Sequence, residues 1–248
     1  MKIIISPAKK MREVWEEFPA DGSPQFLEEA RILCEEIRKL SLTEAKELWR
    51  CNDKLARLNF ERYARMDLDK AVTPALLSYE GLQYQYMAPV VFTSRAAAYA
   101  GEHLRILSGL YGVLCPFDRV TPYRLEMQAA LAVKGKKDLY DFWGDKLYKA
   151  VLDEDRTIVD LALKEYSRAV EKYLQPQDRF LTIVFGELED GKVKQKGTLA
   201  KMARGEMVRY MAEEQVTDLK KLKAFCGLGY GFSERYSTEE RWVFLQRR

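Results

Sequence analysis

Four short segments carry residue types that can hold or act on an anion. Residues 6–10 read Ser-Pro-Ala-Lys-Lys directly behind the apolar run Ile3, Ile4, Ile5. A loop at the end of a strand commonly carries ligand-binding groups. There Ser6 can donate to a phosphate oxygen and Lys9 can supply a point charge. The loop lacks the G-x-x-x-x-G-K-[ST] pattern of a Walker A element, and a turn with two solvated lysines is the plain alternative. Residues 107–114 read Leu-Ser-Gly-Leu-Tyr-Gly-Val-Leu. Ser108 there adds a hydroxyl, and Gly109 and Gly112 permit a tight turn and close approach by another group. A helical hairpin of this kind can aim backbone N–H groups at a phosphate. The spacing is G-x-x-G rather than the commoner G-x-G, so a packed strand-turn-helix corner fits equally well.

In the third segment, residues 121–127, Tyr123, Leu125 and Met127 alternate with Arg124 and Glu126. That alternation predicts a half-buried strand. Arg124 offers a two-pronged fork for carboxylate or phosphate. Glu126 can orient that fork, accept a proton or join a metal site, or the two can form a simple edge ion pair. The fourth is a helix predicted to start at Thr198 and run to about residue 214. A helical wheel puts Leu199, Met202, Ala203, Met207 and Tyr210 on its apolar face, with Lys201 and Arg204 opposite. Gly205 lies between those two directions, leaving a bare patch beside two cations that a phosphate backbone or nucleotide can approach.

The elements that must position these residues are predicted by pattern. Residues 2–5 and 157–163 read as short buried strands. Ser23-Pro24 opens an amphipathic helix with apolar residues at spacings of 3 and 4. Ser41 and Glu44 have capping-box spacing, and Asn52 and Thr93 or Ser94 are cap candidates. Leu76, Leu77 and Tyr79 suggest a strand. Residues 138–152 and 164–174 read as helices. Asp190-Gly191 marks a hairpin between residues 180–187 and 192–195, and residues 230–236 and 241–245 suggest a closing one. The mixture lacks the regular alternation of a doubly wound sheet. It predicts a single domain over residues 1–248, α+β or irregular α/β.

Composition narrows the function. The 248 residues carry 41 Lys+Arg against 38 Asp+Glu, a net charge of +3 that by itself announces no nucleic-acid binder. Further basic clusters stand at Lys134/Lys136/Lys137, Lys192/Lys194/Lys196, Lys220/Lys221/Lys223 and Arg247/Arg248; Tyr84, Tyr86, Trp143 and Tyr230 offer stacking surfaces or core. No apolar run approaches the roughly 20 residues of a membrane span, so no membrane partner is expected and a cytoplasmic location is the default. The single histidine, His103, excludes a two-histidine metal site, and Cys34, Cys51, Cys115 and Cys226 form no C-x-x-C pair. No metal or cofactor is called for, although a carboxylate site for a hard cation stays open.

At the level of motifs the chain resembles the YaaA family of bacterial peroxide-stress proteins. The matching runs are I-S-P-A-K (5–9), N-D-K-L-A-R-L-N (52–59), H-L-R-I-L-S-G-L-Y-G-V-L (103–114), P-Y-R-L-E-M (122–127), K-D-L-Y-D-F-W-G-D (137–145) and K-M-A-R-G (201–205). The resemblance implies a cytosolic protein that helps bacteria survive hydrogen peroxide by limiting free iron. It also implies a mixed α/β fold with a positively charged DNA-binding cleft and a helix-hairpin-helix-like element. By that analogy residues 107–114 are the hairpin, and Ser6, Lys9, Arg105, Arg124, Lys201 and Arg204 line the cleft. Cys115 stands where the family commonly has arginine, which removes one cation beside the hairpin. The leading expectation is low-specificity binding of single- or double-stranded DNA. The rival is an enzyme acting on a nucleotide or other phosphorylated small molecule, with the lysines and arginines on phosphate and Glu126 as base or Mg²⁺ ligand.

Overall fold

Ile3, Ile4 and Ile5 are all fully buried, as expected of a strand covered on both faces. In the computed structural model, which describes residues 1–14 and 22–246, that strand lies at the centre of a mostly parallel sheet. In chain order the strands are β1 (Lys2–Ile5), β2 (Lys10–Met11), β3 (Thr73–Pro74), β4 (Tyr79–Glu80), β5 (Leu104–Ser108), β6 (Gly112–Leu114), β7 (Arg119–Val120), β8 (Thr157–Asp160), β9 (Arg179–Glu189), β10 (Lys192–Lys194), β11 (Tyr230–Phe232) and β12 (Arg241–Gln246). The main sheet runs β11-β12-β9-β8-β1-β5-β6, with β10 attached to β9. From β12 through β5 the neighbours are parallel, and an antiparallel strand closes each end. Ile3 pairs with Leu104 on one side and Val159 on the other. A mixed α+β architecture is therefore present, with a more regular parallel centre than the sequence pattern predicts.

The topology sets the position of the site. The chain leaves β1 towards β5 and leaves β8 towards β9, on opposite sides of the β1–β8 pair. Where connections diverge in this way, a crevice opens beyond the carboxyl ends of the two strands. The segments that close β1 and β8 are residues 6–10 and 161–165. They are tied to one another: the Leu161 amide donates to the Ile4 carbonyl at 3.0 Å, and the Leu163 amide donates to Ser6 Oγ at 2.7 Å.

Local signals in the sequence hold at several places. Ser41 and Glu44 form a reciprocal capping box at the helix Leu42–Trp49. Asn52 caps Asp53–Arg65 and Thr93 caps Ser94–His103 through their side chains. Asp190 and Gly191 have φ of 51° and 73°, the paired positive values of a type I′ hairpin. Arg247 and Arg248 lie outside the described residues.

Other expectations are corrected. Residues 107–114 form a buried β-hairpin, β5-turn-β6, and not a helical hairpin. The apolar residues around its glycines pack on both sides, so Leu107, Leu110, Tyr111 and Leu114 are fully buried. Residues 121–126 belong to no strand, and Met127 enters a turn that the Ala129 amide closes on the Glu126 carbonyl. Leu76 and Leu77 belong to the short helix Ala75–Ser78. The single helix expected over 138–152 is two, Leu139–Trp143 and Lys146–Ala150, because Gly144 adopts φ 52° between them. The hairpin lysines Lys194 and Lys196 face Glu189 and Glu187 in ion pairs, which makes that stripe a neutralised sheet edge.

The helix Gly197–Glu213 is wrapped more completely than its wheel suggests. It packs against the helix Leu82–Met87 and against β9. Arg204 and Gly205 are buried, so the expected bare patch for a phosphate is filled by protein. A Cβ on Gly205 would stand 2.0 Å from the Gln83 carbonyl oxygen. An exposed mid-helix glycine gains about 1 kcal/mol on becoming alanine. Here overpacking reverses the sign, and Gly205→Ala should lose about 1–3 kcal/mol in urea denaturation. A gain in stability would show that the contact between the two helices is loose.

Candidate functional site

The crevice beyond β1 and β8 holds a cavity of about 340 Å³. Three segments wall it: residues 6–10 after β1, residues 123–126, and Leu163, Glu165 and Tyr166 after β8. The helix Leu82–Met87 contributes Gln83 and Tyr84, and Lys201 reaches it from Gly197–Glu213. Of the expected site residues, Ser6, Lys9, Arg124, Glu126 and Lys201 come together here.

Arg124 is 9% exposed, and its placement explains the unpaired segment. Tyr123, Leu125 and Met127 anchor that segment in the core. The Tyr123 hydroxyl lies 2.8 Å from the Tyr79 hydroxyl and 2.6 Å from Ser108 Oγ, and Ser108 Oγ accepts from the Tyr111 amide at 2.9 Å. Gly109 lets the segment cross the hairpin turn closely, since a Cβ there would meet the Leu125 carbonyl oxygen at 2.3 Å. Ser108 and Gly109 thus support the segment that walls the cavity, and residues 108–112 are themselves buried. A Cβ on Gly112, whose φ is +71°, would meet Trp143 at 2.8 Å.

With its backbone fixed, Arg124 donates from Nη2 to the Trp49 carbonyl at 3.2 Å and to Glu126 Oε1 at 3.0 Å. Lys9 Nζ stands 3.0 Å from the same Glu126 oxygen. Lys10 pairs with Glu80, also at 3.0 Å. Lys201 is exposed and makes no ion pair among the described residues. Lys9, Lys10, Arg124 and Lys201 against Glu80, Glu126 and Glu165 leave the lining with one formal positive charge. By formal count the lining of this cavity is thus nearly charge-balanced. Ser6 is buried: its hydroxyl oxygen accepts from Leu163, and its carbonyl accepts from the Tyr84 hydroxyl at 2.9 Å.

Two expected residues lie elsewhere. Arg105 directs its guanidinium to the Gly101 and Leu104 carbonyls at 3.1 and 2.7 Å, closing the preceding helix. Arg204 is buried behind the cavity lining. Its charge is penalised by burial and supported by Asp160, the last residue of β8. Burial pushes the Asp160 carboxyl up to about 7 from an ordinary value of 3.8. The Ala162 amide, Arg204 and Lys164 oppose the rise, and Glu171 adds to it.

Glu165 was not singled out from the sequence. It lies in the first turn of Lys164–Glu171, directly after β8. Its carboxyl is raised by burial and then by the charge of Glu126; the Gln128 amide, Lys9 and the Met127 amide pull the other way. Glu126 and Glu165 thus face one cavity in different surroundings, one ion-paired to two cations and one whose neutral form burial favours. Such a pair can serve as base and acid. The strand-to-helix junction after residue 163 was the available signal, because such loops carry ligand groups in parallel sheets. Trp143 and Tyr230 are core, whereas Tyr84 forms part of the cavity wall. Among the described residues, no group of three or more His, Cys, Asp or Glu is placed to hold a metal ion, and no helix is long and apolar enough to cross a membrane.

Fold and site together define a mixed-sheet α/β protein with a candidate ligand cavity where the strand order reverses. The chain belongs to the YaaA peroxide-stress family, whose sequence model, described as "Peroxide stress protein YaaA", matches residues 1–236. It is 52% identical over 246 residues to a UPF0246 protein of Lachnoclostridium phytofermentans, covering 99% of this chain and 96% of that one. It is 49% identical over 246 residues to a UPF0246 protein of Pediococcus pentosaceus, covering 99% and 98%.

The buried carboxylate beneath the site gives a pH signature. Because the folded-state value of Asp160 exceeds its ordinary one, its contribution to stability is full below about pH 4 and is lost as pH rises through about 7. Asp160→Asn keeps an oxygen for the Ala162 amide. Thermal melts should therefore show the variant more stable relative to the parent at pH 8 than at pH 5. Equal offsets at both pH values would contradict the assignment.

Proposed function

We propose that this protein acts in the peroxide response by binding a small phosphorylated molecule, and acting on it, in the cavity beyond β1 and β8. The observation that carries the reading is the buried Arg124 fork, fixed by the Trp49 carbonyl and Glu126, beside a cavity of about 340 Å³. That volume lies at the lower end of the range for small-molecule sites and is too small to seat a duplex. Lys9 and Lys201, exposed on the lining, meet the phosphate; Arg124 and Tyr123 hold the inner part of the ligand. Glu165, whose neutral form burial favours, is the proton donor, and Glu126, paired with two cations, is the acceptor. The reading gives the chain no iron of its own.

Nucleic acid remains the second reading because Lys9, Lys10 and Lys201 are exposed together around one opening. In it the strand tracks the lysines by charge alone, and the cavity admits at most a single nucleotide.

A thermal-shift panel of sugar phosphates and nucleoside monophosphates, with and without Mg²⁺, separates the two. At one hundred times its Kd a true ligand should raise the melting temperature by about 5–10 °C. Arg124→Lys, which keeps the charge and loses the fork, should weaken that ligand about tenfold or more. The small-molecule reading is overturned if no compound stabilises the protein while oligonucleotides bind with a log–log salt slope of about −3 that Arg124→Lys leaves unchanged.

A further inference from the structure

Three side chains that wall the cavity carry a buried polar atom with no hydrogen-bond partner among the described residues: Gln83 Nε2, Arg124 Nε and Glu165 Oε1. Gln83 is 7% exposed and Arg124 is 9% exposed. Buried polar groups are nearly always paired, and leaving one unpaired costs about 1–3 kcal/mol. Three in one cavity wall indicate that their partners arrive with a ligand, after small side-chain adjustments.

The chemistry of the three atoms restricts that ligand. Gln83 Nε2 and Arg124 Nε are donors. Glu165 Oε1 accepts whether the group is ionised or is a neutral acid, whose carbonyl oxygen keeps its lone pairs. The complementary molecule therefore presents a carbonyl oxygen, whose two lone pairs can take both donors where a ring nitrogen has only one, next to an N–H donor. The remaining inner wall includes Tyr84, Tyr123 and Tyr166, which suit a flat ring. Gln83 is held in place from behind, since its backbone carbonyl packs directly on Gly205. The donor is thereby fixed to the scaffold.

From this arrangement we infer that the inner end of the cavity recognises the lactam edge of an oxo-nucleobase, with Gln83 donating to its carbonyl and Glu165 accepting its ring N–H. Guanine, hypoxanthine and uracil carry that edge; adenine and cytosine do not. The inference rests on the reading of the cavity as a site for a phosphorylated small molecule, and it places the phosphate outward, towards Lys9 and Lys201. Discrimination follows because a base of the wrong pattern leaves the wall atoms unpaired.

Isothermal titration of the full chain with GMP, IMP, UMP, AMP, CMP and ribose 5-phosphate tests it. The three oxo-nucleotides should bind at least tenfold more tightly than AMP, CMP and ribose 5-phosphate. Gln83→Leu should remove that advantage while leaving ribose 5-phosphate affinity unchanged; Glu165→Ala should remove it too, and Glu165→Gln should restore part of it through its amide oxygen. The comparison among ligands on the parent protein needs no variant to fold. If ribose 5-phosphate binds as well as every nucleotide, base recognition is wrong and the phosphate reading stands. If AMP binds as tightly as GMP and better than ribose 5-phosphate, a base is held but not by this edge. Binding of none of the six overturns the inference, and the thermal-shift panel then decides the broader reading separately.

Discussion

Glu126 Oε1 accepts from two cations at once, Lys9 Nζ and Arg124 Nη2, each 3.0 Å away. The rest of the cavity depends on that junction. It ties the loop after β1 to residues 121–126, which have no strand pairing in common. It also compensates the guanidinium of Arg124, which is otherwise surrounded by the core. Removing one partner of such a buried pair is far more damaging than the pair is stabilising, because a lone charge is left behind. The junction thus compensates the charge of Arg124 in the wall of a small cavity.

Close backbone approach provides the second condition. Gly109 allows residues 125 and 126 to cross the β5–β6 turn, and Gly205 allows the helix Leu82–Met87 to lie directly on Gly197–Glu213. One contact places Arg124 and Glu126; the other places Gln83 and Tyr84. Both glycines stand in segments that suggest phosphate contact when read as sequence. In the fold they act at one remove, by bringing cavity walls within reach of each other.

This explains how much was legible beforehand. Caps and turns were readable because their chemistry is local: Ser41 with Glu44, Asn52, Thr93 and Asp190-Gly191 each do what their residue types dictate. The convergence of Ser6, Lys9, Arg124 and Lys201 was implied by the family resemblance, whereas the residues by themselves read only as a set of separate motifs. The nature of residues 107–114 was not legible, since glycines in an apolar run permit a β-hairpin as readily as a helical one. The burial of Arg204 was hidden because a wheel assigns polar residues to solvent, whereas a short helix covers that face here. Glu165 and Gln83 were missed for a related reason: their importance lies in unpaired buried atoms of side chains that share one cavity wall, a property of tertiary structure alone.

The parallel centre of the sheet gives these details a common logic. Strand order reverses at β1 and β8, the chain ends of both strands are stitched together through Ser6 and Leu163, and the polar side chains collect above that seam. A peroxide-stress family member built in this way is read most simply as a receptor or catalyst for a small phosphorylated compound. A crystal structure of the protein soaked with GMP tests that claim most directly. The account predicts density for the nucleotide between the loops after β1 and β8, its base against Glu165 and Gln83 and its phosphate near Lys201. Nucleotide bound only on the outer surface, with the cavity unchanged, would contradict it.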